Sequence, residues 1–317
     1  MSLLWIVFLL SGIAATQNQV VLSQITPDDT IGVCYGLLGN DLPPSTEVIQ
    51  LYKQHGIRKL RLFDPNPAAL QALRGSQIVV SLGMRNEDLP TLAASQAAVE
   101  SWFVTNVQPY INDVLFGYIT IGNEVVPGPL GTFVYPVMQF APKRVSYPPS
   151  AGAFSAEANN DMVNILKFLS AQKSPLMINV YPYFAYASNT KDVRLDYAQF
   201  TATGVVQWKE QVWTDVNVVV SESGWPSAGN GELTTPALAS TYNQNFVKHI
   251  LEKKGTPKRP NIIIEGFIFA MFNENQKPAG TEQNFGLFFP NKTPVYLYLV
   301  LLVKKKKVVI PLFQASK

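Results

Sequence analysis

The chain has 317 residues, of which 47% are hydrophobic and 15% charged, and this is the composition of a globular protein long enough to bury a sizeable core. The formal net charge is +3, and four of the positive charges lie in one lysine run at 304–307. The rest of the chain is close to neutral, so composition and charge give no indication of nucleic-acid binding.

The N-terminus, MSLLWIVFLLSGIAAT at residues 1–16, combines an apolar stretch with small residues that come after it. This pattern is typical of a secretory signal peptide, and the stretch is too short to span a bilayer. We therefore expect secretion; the alternative is a buried strand or helix at the N-terminus. Cys34 is the single cysteine, so an internal disulfide is excluded.

Apolar runs typical of strands recur along the chain, with helical patterns between several of them. The strand-like runs are 31–36, 59–64, 78–83, 118–124, 176–183, 217–222 and 266–274; the helical segments are 45–56, 66–75, 95–111, 155–172 and 234–255. This alternation predicts an α/β fold with a parallel sheet and right-handed crossovers. So many repeats, with no glycine-rich phosphate loop after any strand, favour a TIM-type (β/α)8 barrel over a doubly wound sheet.

The predicted barrel is incomplete, because a closed barrel needs eight strands and seven are recognisable. The interval between the runs at 118–124 and 176–183 is long enough for a further β-unit, yet it offers only KRVSY at 143–147, which prolines flank on both sides. The segment 184–216 is also thin, since VQWKEQVW at 206–213 supplies at most two helical turns. We expect the fifth strand unit and a later helix to be missing or degenerate.

Two glutamates stand where strand-like runs end: Glu124 in YITIGNE and Glu222 in NVVVSE. The carboxyl ends of parallel strands meet on one face of a barrel, which is where its chemistry takes place. A pair of carboxylates there can hydrolyse a glycosidic bond, at a separation of about 5–5.5 Å if the enzyme retains configuration. Asn123 could hydrogen-bond a sugar hydroxyl. The alternative is a glutamate in a solvated loop or in an ion pair with an arginine.

Aromatic residues cluster at the same strand ends and would suit a carbohydrate cleft, since sugar C–H faces pack on aromatic rings. The alternative is that these rings close the barrel top as ordinary core. The members of this cluster are Tyr35, Phe63, Tyr181, Tyr183, Phe184, Trp225 and Phe272.

Metal and serine chemistry find little support in the sequence. The two histidines, His55 and His249, lie on predicted helices without metal-ligand spacing. Ser221 and Ser223 lack the nucleophile-elbow motif and a histidine partner. We expect no metal and no cofactor, because two carboxylates and water suffice for glycoside hydrolysis.

Three further charged residues lie in or beside the last strand-like run. Glu274 stands at its end and could line the cleft, with Lys277 just beyond. Glu265 precedes the run, and strand geometry alone places it away from the site.

The chain contains several long motifs: IGVCYGLLGNDLPP, RLFDPNPAALQALRGS, YITIGNEV, SYPPSAGAFS, NVYPYFAY, VVVSESGWPSAG, FAMFNENQKP and FGLFFPNKTPVY. They closely resemble motifs of the plant endo-1,3-β-glucanases of glycoside hydrolase family seventeen, from about Ile31 to Tyr296. The resemblance implies a (β/α)8 barrel domain over 31–296, a retaining mechanism and β-1,3-glucan as substrate. By match to the family motifs, it also implies that Glu124 is the acid/base and Glu222 the nucleophile, and that Glu265, Glu274 and Lys277 support the site.

The chain departs from the family pattern in three places. After TFVYPVMQ it continues directly to FAPKRVSYPPS, without the remainder of the fourth helix or the fifth strand. The helix before NVVVSE is largely replaced by QWKEQVWTDV, and residues 297–317 form an atypical apolar and basic tail that is too short for a membrane span. Asn291-Lys-Thr matches a glycosylation pattern, but Pro294 comes directly after it and argues against occupancy.

Three hypotheses remain open: an active endo-1,3-β-glucanase, a glucan-binding relative whose catalytic geometry is lost, and an enzyme for mixed β-1,3;1,4-glucan. In each we expect a secreted monomer in the cell wall or vacuole, with a glucan partner, without nucleic acid and without a stable membrane anchor.

Overall fold

A computed structural model describes residues 30–140, 156–202, 216–253, 255 and 259–296. The expectations for the signal peptide at 1–16, for KRVSY at 143–147, for VQWKEQVW at 206–213 and for the tail at 297–317 lie outside these ranges.

The described residues form one parallel sheet whose strands pair in the order β4-β3-β2-β1-β7-β6-β5. All residues of β1 and β2 and most residues of β3 are buried. This agrees with the apolar runs that predict these strands, since a parallel sheet is covered on both faces. The strands are β1 (Ile31–Cys34), β2 (Lys59–Leu62), β3 (Val79–Met84), β4 (Leu115–Ile121), β5 (Leu176–Asn179), β6 (Val218–Ser223) and β7 (Glu265–Ile268).

Helices connect the strands, and several begin at side-chain caps. Asn66, Ser95 and Thr235 each accept a hydrogen bond from the backbone N–H three residues on. The helices are α1 (Ser45–Gln54), α2 (Pro67–Leu73), α3 (Leu89–Ala93), α4 (Gln96–Asn106), α5 (Gly131–Phe140), α6 (Ala156–Gln172), α7 (Pro182–Ser188), α8 (Leu195–Ala198) and α9 (Pro236–Leu251). Within the described ranges, none of them is both long and apolar enough to cross a membrane.

The sheet curls as a TIM-type barrel does but stays open between β4 and β5, so the predicted incomplete barrel is confirmed. The strand order runs around the curl through β1 and β7, and no β4–β5 pairing joins the two ends among the described residues. All residues of β4 and β5 are only half-buried, because each strand lacks a neighbour on one side. The opening lies in the interval where the sequence offers only the proline-flanked KRVSY as a further strand.

Two predicted strands are longer than the observed ones. The run at 176–183 ends as a strand at Asn179, because Pro182 starts α7 and cannot donate to a ladder. The run at 266–274 leaves the sheet after Ile268, although Phe269 N still donates to Ser223 O (2.8 Å) and Met271 N to Cys34 O (2.9 Å). The chain thus keeps hydrogen bonds to both neighbouring strands, β6 and β1, beyond the end of β7.

The interior of the curl is polar at the amino ends of the strands. Lys59, whose side chain is 2% exposed, forms an ion pair with Glu265, and the Tyr118 hydroxyl donates to Glu265 Oε1 (3.0 Å). An apolar layer lies above this cluster, made of Cys34, Val219, Phe267, Phe269, Ala270 and Phe285. Lys59 and Glu265 therefore compensate each other's charge where water has little access.

We predict that Lys59→Met lowers the free energy of unfolding by about 3–5 kcal/mol, because the Glu265 carboxylate would lose its cationic partner. Urea unfolding followed by tryptophan fluorescence measures this. Lys292→Met is the matched control, since its partner Glu47 is 48% exposed, and we expect a loss below about 1 kcal/mol. Equal losses in the two variants would contradict the assignment, and adding Glu265→Gln to Lys59→Met should recover part of the stability.

Candidate active site

Glu222 is held at the carboxyl end of the sheet by a side chain from β2 and by one from the segment between β5 and α7. It lies in β6 and is 4% exposed. Arg61 of β2 donates from Nη1 to Glu222 Oε1 (2.6 Å), and the Tyr181 hydroxyl donates to Oε2 (2.7 Å). Both carboxylate oxygens therefore have a partner, and the charge of the carboxylate is compensated by a buried guanidinium. Glu222 therefore does not lie in a solvated loop. It does form an ion pair with an arginine, which was the other alternative that the sequence left open.

The backbone beside Glu222 is fixed as well. The Ser221 carbonyl accepts hydrogen bonds from Arg61 Nη1 (3.1 Å) and from the Cys34 thiol (3.4 Å). Burial raises the pKa of Cys34, so this thiol remains a neutral donor inside the curl.

Glu124 lies three residues beyond the end of β4, in a left-handed backbone conformation with φ of +55°. Its side chain is exposed, and its Oε1 accepts a hydrogen bond from Asn179 Nδ2 (2.8 Å). The two glutamates thus stand in different surroundings, one buried and paired, the other open to solvent.

A continuous chain of hydrogen bonds joins the two glutamates across the opening of the sheet. Asn179 Nδ2 donates both to Glu124 and to Asn123 Oδ1 (3.1 Å), and Asn123 Oδ1 also accepts from Arg61 Nη2 (2.9 Å). Ser221 donates from Oγ to Asn179 Oδ1 (2.8 Å). The structure therefore brings Glu124, Glu222 and Asn123 together at one end of the strands, as their positions after strand-like runs predict.

Tyr181 faces this site together with an aromatic wall. Its ring packs edge-on against Phe184, Phe269 and Phe285, at centroid distances of 5.6–6.1 Å. Phe184 is 45% exposed, so part of this wall is open to a ligand.

Four of the seven predicted cleft aromatics are buried instead: Tyr35, Tyr183, Trp225 and Phe272. Trp225 is 1% exposed and donates from Nε1 to Leu233 O (2.9 Å), and Tyr35 is 2% exposed with its hydroxyl 3.3 Å from Ser45 Oγ. All four belong to the main hydrophobic core, so for these rings the alternative of ordinary core is correct.

Of the three further charged residues, Glu274 and Lys277 lie near the site and Glu265 lies at the opposite end of β7. Glu274 is 3% exposed, accepts from Leu38 N (2.8 Å) and is 3.4 Å from Lys277 Nζ. Lys277 Nζ stands 4.1 Å above the Phe269 ring, next to the aromatic wall. Glu265 pairs with Lys59 below the apolar layer, where strand geometry places it.

Sequence reasoning missed Arg61, Asn179 and Asn86. A signal existed for Arg61, because KLRL alternates two cations with two leucines in a strand that is otherwise fully buried, which indicates charges on the inner face. No comparable signal marks the two asparagines, whose roles depend on which loop faces them.

The Tyr181 hydroxyl remains protonated well above neutral pH. Burial raises the pKa of Tyr181, and the nearby Glu222 carboxylate raises it further because a second negative charge would be repelled. Burial and the Glu265 carboxylate raise the pKa of Tyr118 in the same direction. Both hydroxyls therefore act as donors to their carboxylates.

The chain is similar in sequence to a known family of proteins. The family model described as Glycosyl hydrolases family 17 matches residues 31–144 and 139–298. A probable glucan endo-1,3-beta-glucosidase of Arabidopsis thaliana, BG4, is 47% identical over 332 residues, covering 91% of this chain and 96% of the relative. Lichenase-2 of Hordeum vulgare is 41% identical over 310 residues, covering 84% of this chain and 97% of the relative.

A solved structure, from work on two plant beta-glucan endohydrolases with distinct substrate specificities, matches with a TM-score of 0.75 and 40% identity. The match covers 84% of this chain and 98% of the chain in the solved structure. The family model matches in two segments that meet at residues 139–144, in the interval where the sheet is open. The alignment with BG4 has 332 positions, which is more than the 317 residues of this chain. Both observations agree with a unit that the relatives have and this chain lacks.

We predict that the stability of the protein falls as pH rises above about 10, where tyrosines of the unfolded chain ionise while Tyr181 does not. The raised pKa of Tyr181 makes the folded state more stable. This contribution is present in full below that pH and is lost as the pH rises above it. In Tyr181→Phe the fall should be shallower by about 1.4 kcal/mol per pH unit, which corresponds to one proton. Urea unfolding at a series of alkaline pH values measures the slope. Phe184→Leu, which changes a neighbouring ring without an ionisable group, should leave the slope unchanged; an unchanged slope in Tyr181→Phe would contradict the prediction.

Proposed function

The chain belongs to glycosyl hydrolase family 17, and from this premise we propose that it hydrolyses internal bonds of β-1,3-glucan. The observation that carries the proposal is the pair of glutamates, one buried and one exposed, joined by hydrogen bonds at the carboxyl end of the sheet. Relatives named glucan endo-1,3-beta-glucosidases support the choice of substrate.

In the proposed first step, a Glu222 carboxylate oxygen attacks the anomeric carbon while Glu124 donates a proton to the departing glycosidic oxygen. The bond between the anomeric carbon and that oxygen breaks, and a glycosyl ester of Glu222 forms. In the second step Glu124 takes a proton from water, the water oxygen attacks the same carbon, and Glu222 departs as a carboxylate. Two inversions leave the configuration of the sugar unchanged.

The contacts of the two glutamates suit these roles. The nucleophile must be ionised and oriented, and Glu222 has Arg61 on one oxygen and the Tyr181 hydroxyl on the other. The acid/base must reach both a leaving group and water, and the exposed Glu124 side chain can do so. We propose that Asn123 and Lys277 hydrogen-bond sugar hydroxyls, which their positions near Arg61 and the wall of Tyr181, Phe184 and Phe269 support.

A second candidate function is glucan binding without hydrolysis, and the open edge between β4 and β5 favours it. Catalysis tolerates errors in the placement of reacting groups of only about 0.5 Å. Glu124 lies just beyond β4, which is one of the two unpaired edges, so its placement depends on contacts other than a full barrel.

The linkage of the substrate is a separate question within the proposal. The relative named lichenase-2 is 41% identical, and the matching solved structure comes from enzymes with distinct substrate specificities. Mixed β-1,3;1,4-glucan is therefore the alternative substrate.

We further propose a monomer with its barrel domain at 31–296 that acts outside the cell or in the vacuole and needs no metal or cofactor. The proposed location rests on the signal-like sequence at 1–16.

We expect Glu222→Ala to lower hydrolysis of a soluble β-1,3-glucan by more than about 10⁴-fold, because the nucleophile is lost. Glu124→Ala should lower it by about 10²–10⁴-fold, because general acid catalysis is lost. Release of reducing ends measures both. Proton NMR of the first product should show the β-anomer, as retention of configuration requires.

Asn230→Asp is a control, because Asn230 donates to the Tyr183 hydroxyl and does not contact either glutamate. Wild-type protein that binds the glucan on an affinity gel but releases no reducing ends would support the binding function and reject hydrolysis. Faster hydrolysis of mixed-linkage glucan than of β-1,3-glucan would instead assign the alternative substrate.

A further inference from the structure

The backbone immediately before Glu124 is held by a single side chain from the neighbouring loop. Asn123 N donates to Asn86 Oδ1 (2.8 Å), and Asn86 Nδ2 donates to Asn123 O (2.9 Å). Both peptide groups of Asn123 are therefore bonded to one amide, which offers one acceptor and one donor as a peptide unit does.

The register of the sheet explains why an amide side chain is needed at this place. The β3–β4 ladder ends with Met84 opposite Ile121, and two residues further along each chain stand Asn86 and Asn123. Beyond Met84 the chain turns into a 3₁₀ helix at Asn86–Asp88, so its backbone no longer runs beside β4. The Asn86 side chain supplies the two hydrogen bonds that the Asn123 backbone would have made with a continuing strand.

The segment so held has an unfavourable conformation. Gly122 has a φ of +74° and Glu124 a φ of +55°, a region that favours glycine over residues with side chains. Leu89 packs beneath Gly122, where an added Cβ would lie 3.0 Å from Leu89 Cδ1. The segment that follows β3 therefore supports two consecutive residues after β4, Gly122 and Asn123. This support comes from the side away from the open edge of the sheet.

We propose that Asn86 is a positioning residue for the reaction: its amide fixes the Asn123 backbone and thereby the direction in which Glu124 points. The inference rests on the proposed role of Glu124 as acid/base. Asn86 acts through Asn123 and does not touch the reacting atoms. Its contribution is largest where protonation of the leaving group limits the rate.

The test compares two substrates in wild type and Asn86→Ala. On soluble β-1,3-glucan, kcat should fall about 10²-fold with KM within about threefold, as expected for a displaced acid. On dinitrophenyl β-laminaribioside, whose leaving group needs no proton, the glycosylation rate should change by less than about threefold. Azide, which attacks the glycosyl enzyme without a general base, should accelerate turnover of the variant. An equal loss on both substrates would reject the positioning role.

Asn66→Ala is the matched control, because Asn66 also follows a strand and its side chain also hydrogen-bonds to backbone. It caps α2 by accepting from Ala69 N (2.9 Å), and this bond does not involve either glutamate. It should leave both rates unchanged. Asn86→Ser, which is polar but too short to bridge both groups, replaces Asn86→Ala if the latter does not fold, and the same pattern is expected.

Amide hydrogen exchange separates this inference from the proposed function. The Asn123 amide should be protected in the wild type and should exchange at least about tenfold faster in Asn86→Ala, while β3 and β4 amides keep their protection. Unchanged protection of Asn123 would overturn the proposal whatever the activity. A wild-type protein without hydrolysis would overturn the proposed function, and the exchange of Asn123 would still decide whether Asn86 holds this loop.

Discussion

The site depends above all on the Arg61 guanidinium, a buried cation that joins three strands. From β2 it reaches Glu222 and the Ser221 carbonyl of β6, and Asn123 beyond β4. A planar guanidinium fixes the directions of all these bonds at once, which a lysine at this position would not do. Removing it would leave the Glu222 carboxylate buried without its countercharge, so the ion pair and the orientation of Glu222 are one feature.

The opening between β4 and β5 in the described sheet affects the two glutamates unequally. Glu222 lies in β6, which pairs on both sides, and its partner Arg61 lies in β2, which also pairs on both sides. Glu124 lies beyond the end of β4, which has a neighbour only at β3. Its support therefore comes from the β3 side through Asn86 and, across the opening, from a single amide of Asn179.

Much of this arrangement could be predicted from the sequence, because strand periodicity determines it. The parallel sheet, its deficiency after 118–124 and the meeting of Glu124 with Glu222 all derive from apolar runs and from the residues at their carboxyl ends. The burial of Trp225 and Tyr35 could not be derived, since an aromatic at a strand end can face either the cleft or the helices. Asn86 and Asn179 were beyond prediction for a related reason: an asparagine in a loop gains its role only from the backbone that folding places opposite it.

The unequal support of the glutamates also separates the two candidate functions in physical terms. With the described sheet open beside β4, the proposed nucleophile Glu222 keeps its ion pair, because β6 and β2 each pair on both sides. The opening instead affects the placement of the proposed acid Glu124, and hydrolysis of an unactivated glycosidic bond requires an acid. An impaired form of this protein would therefore still form a glycosyl ester from an activated glycoside while leaving glucan uncut. The difference between an active enzyme and a glucan-binding relative consequently rests on the two asparagine contacts that direct Glu124, and much less on the buried pair of Arg61 and Glu222.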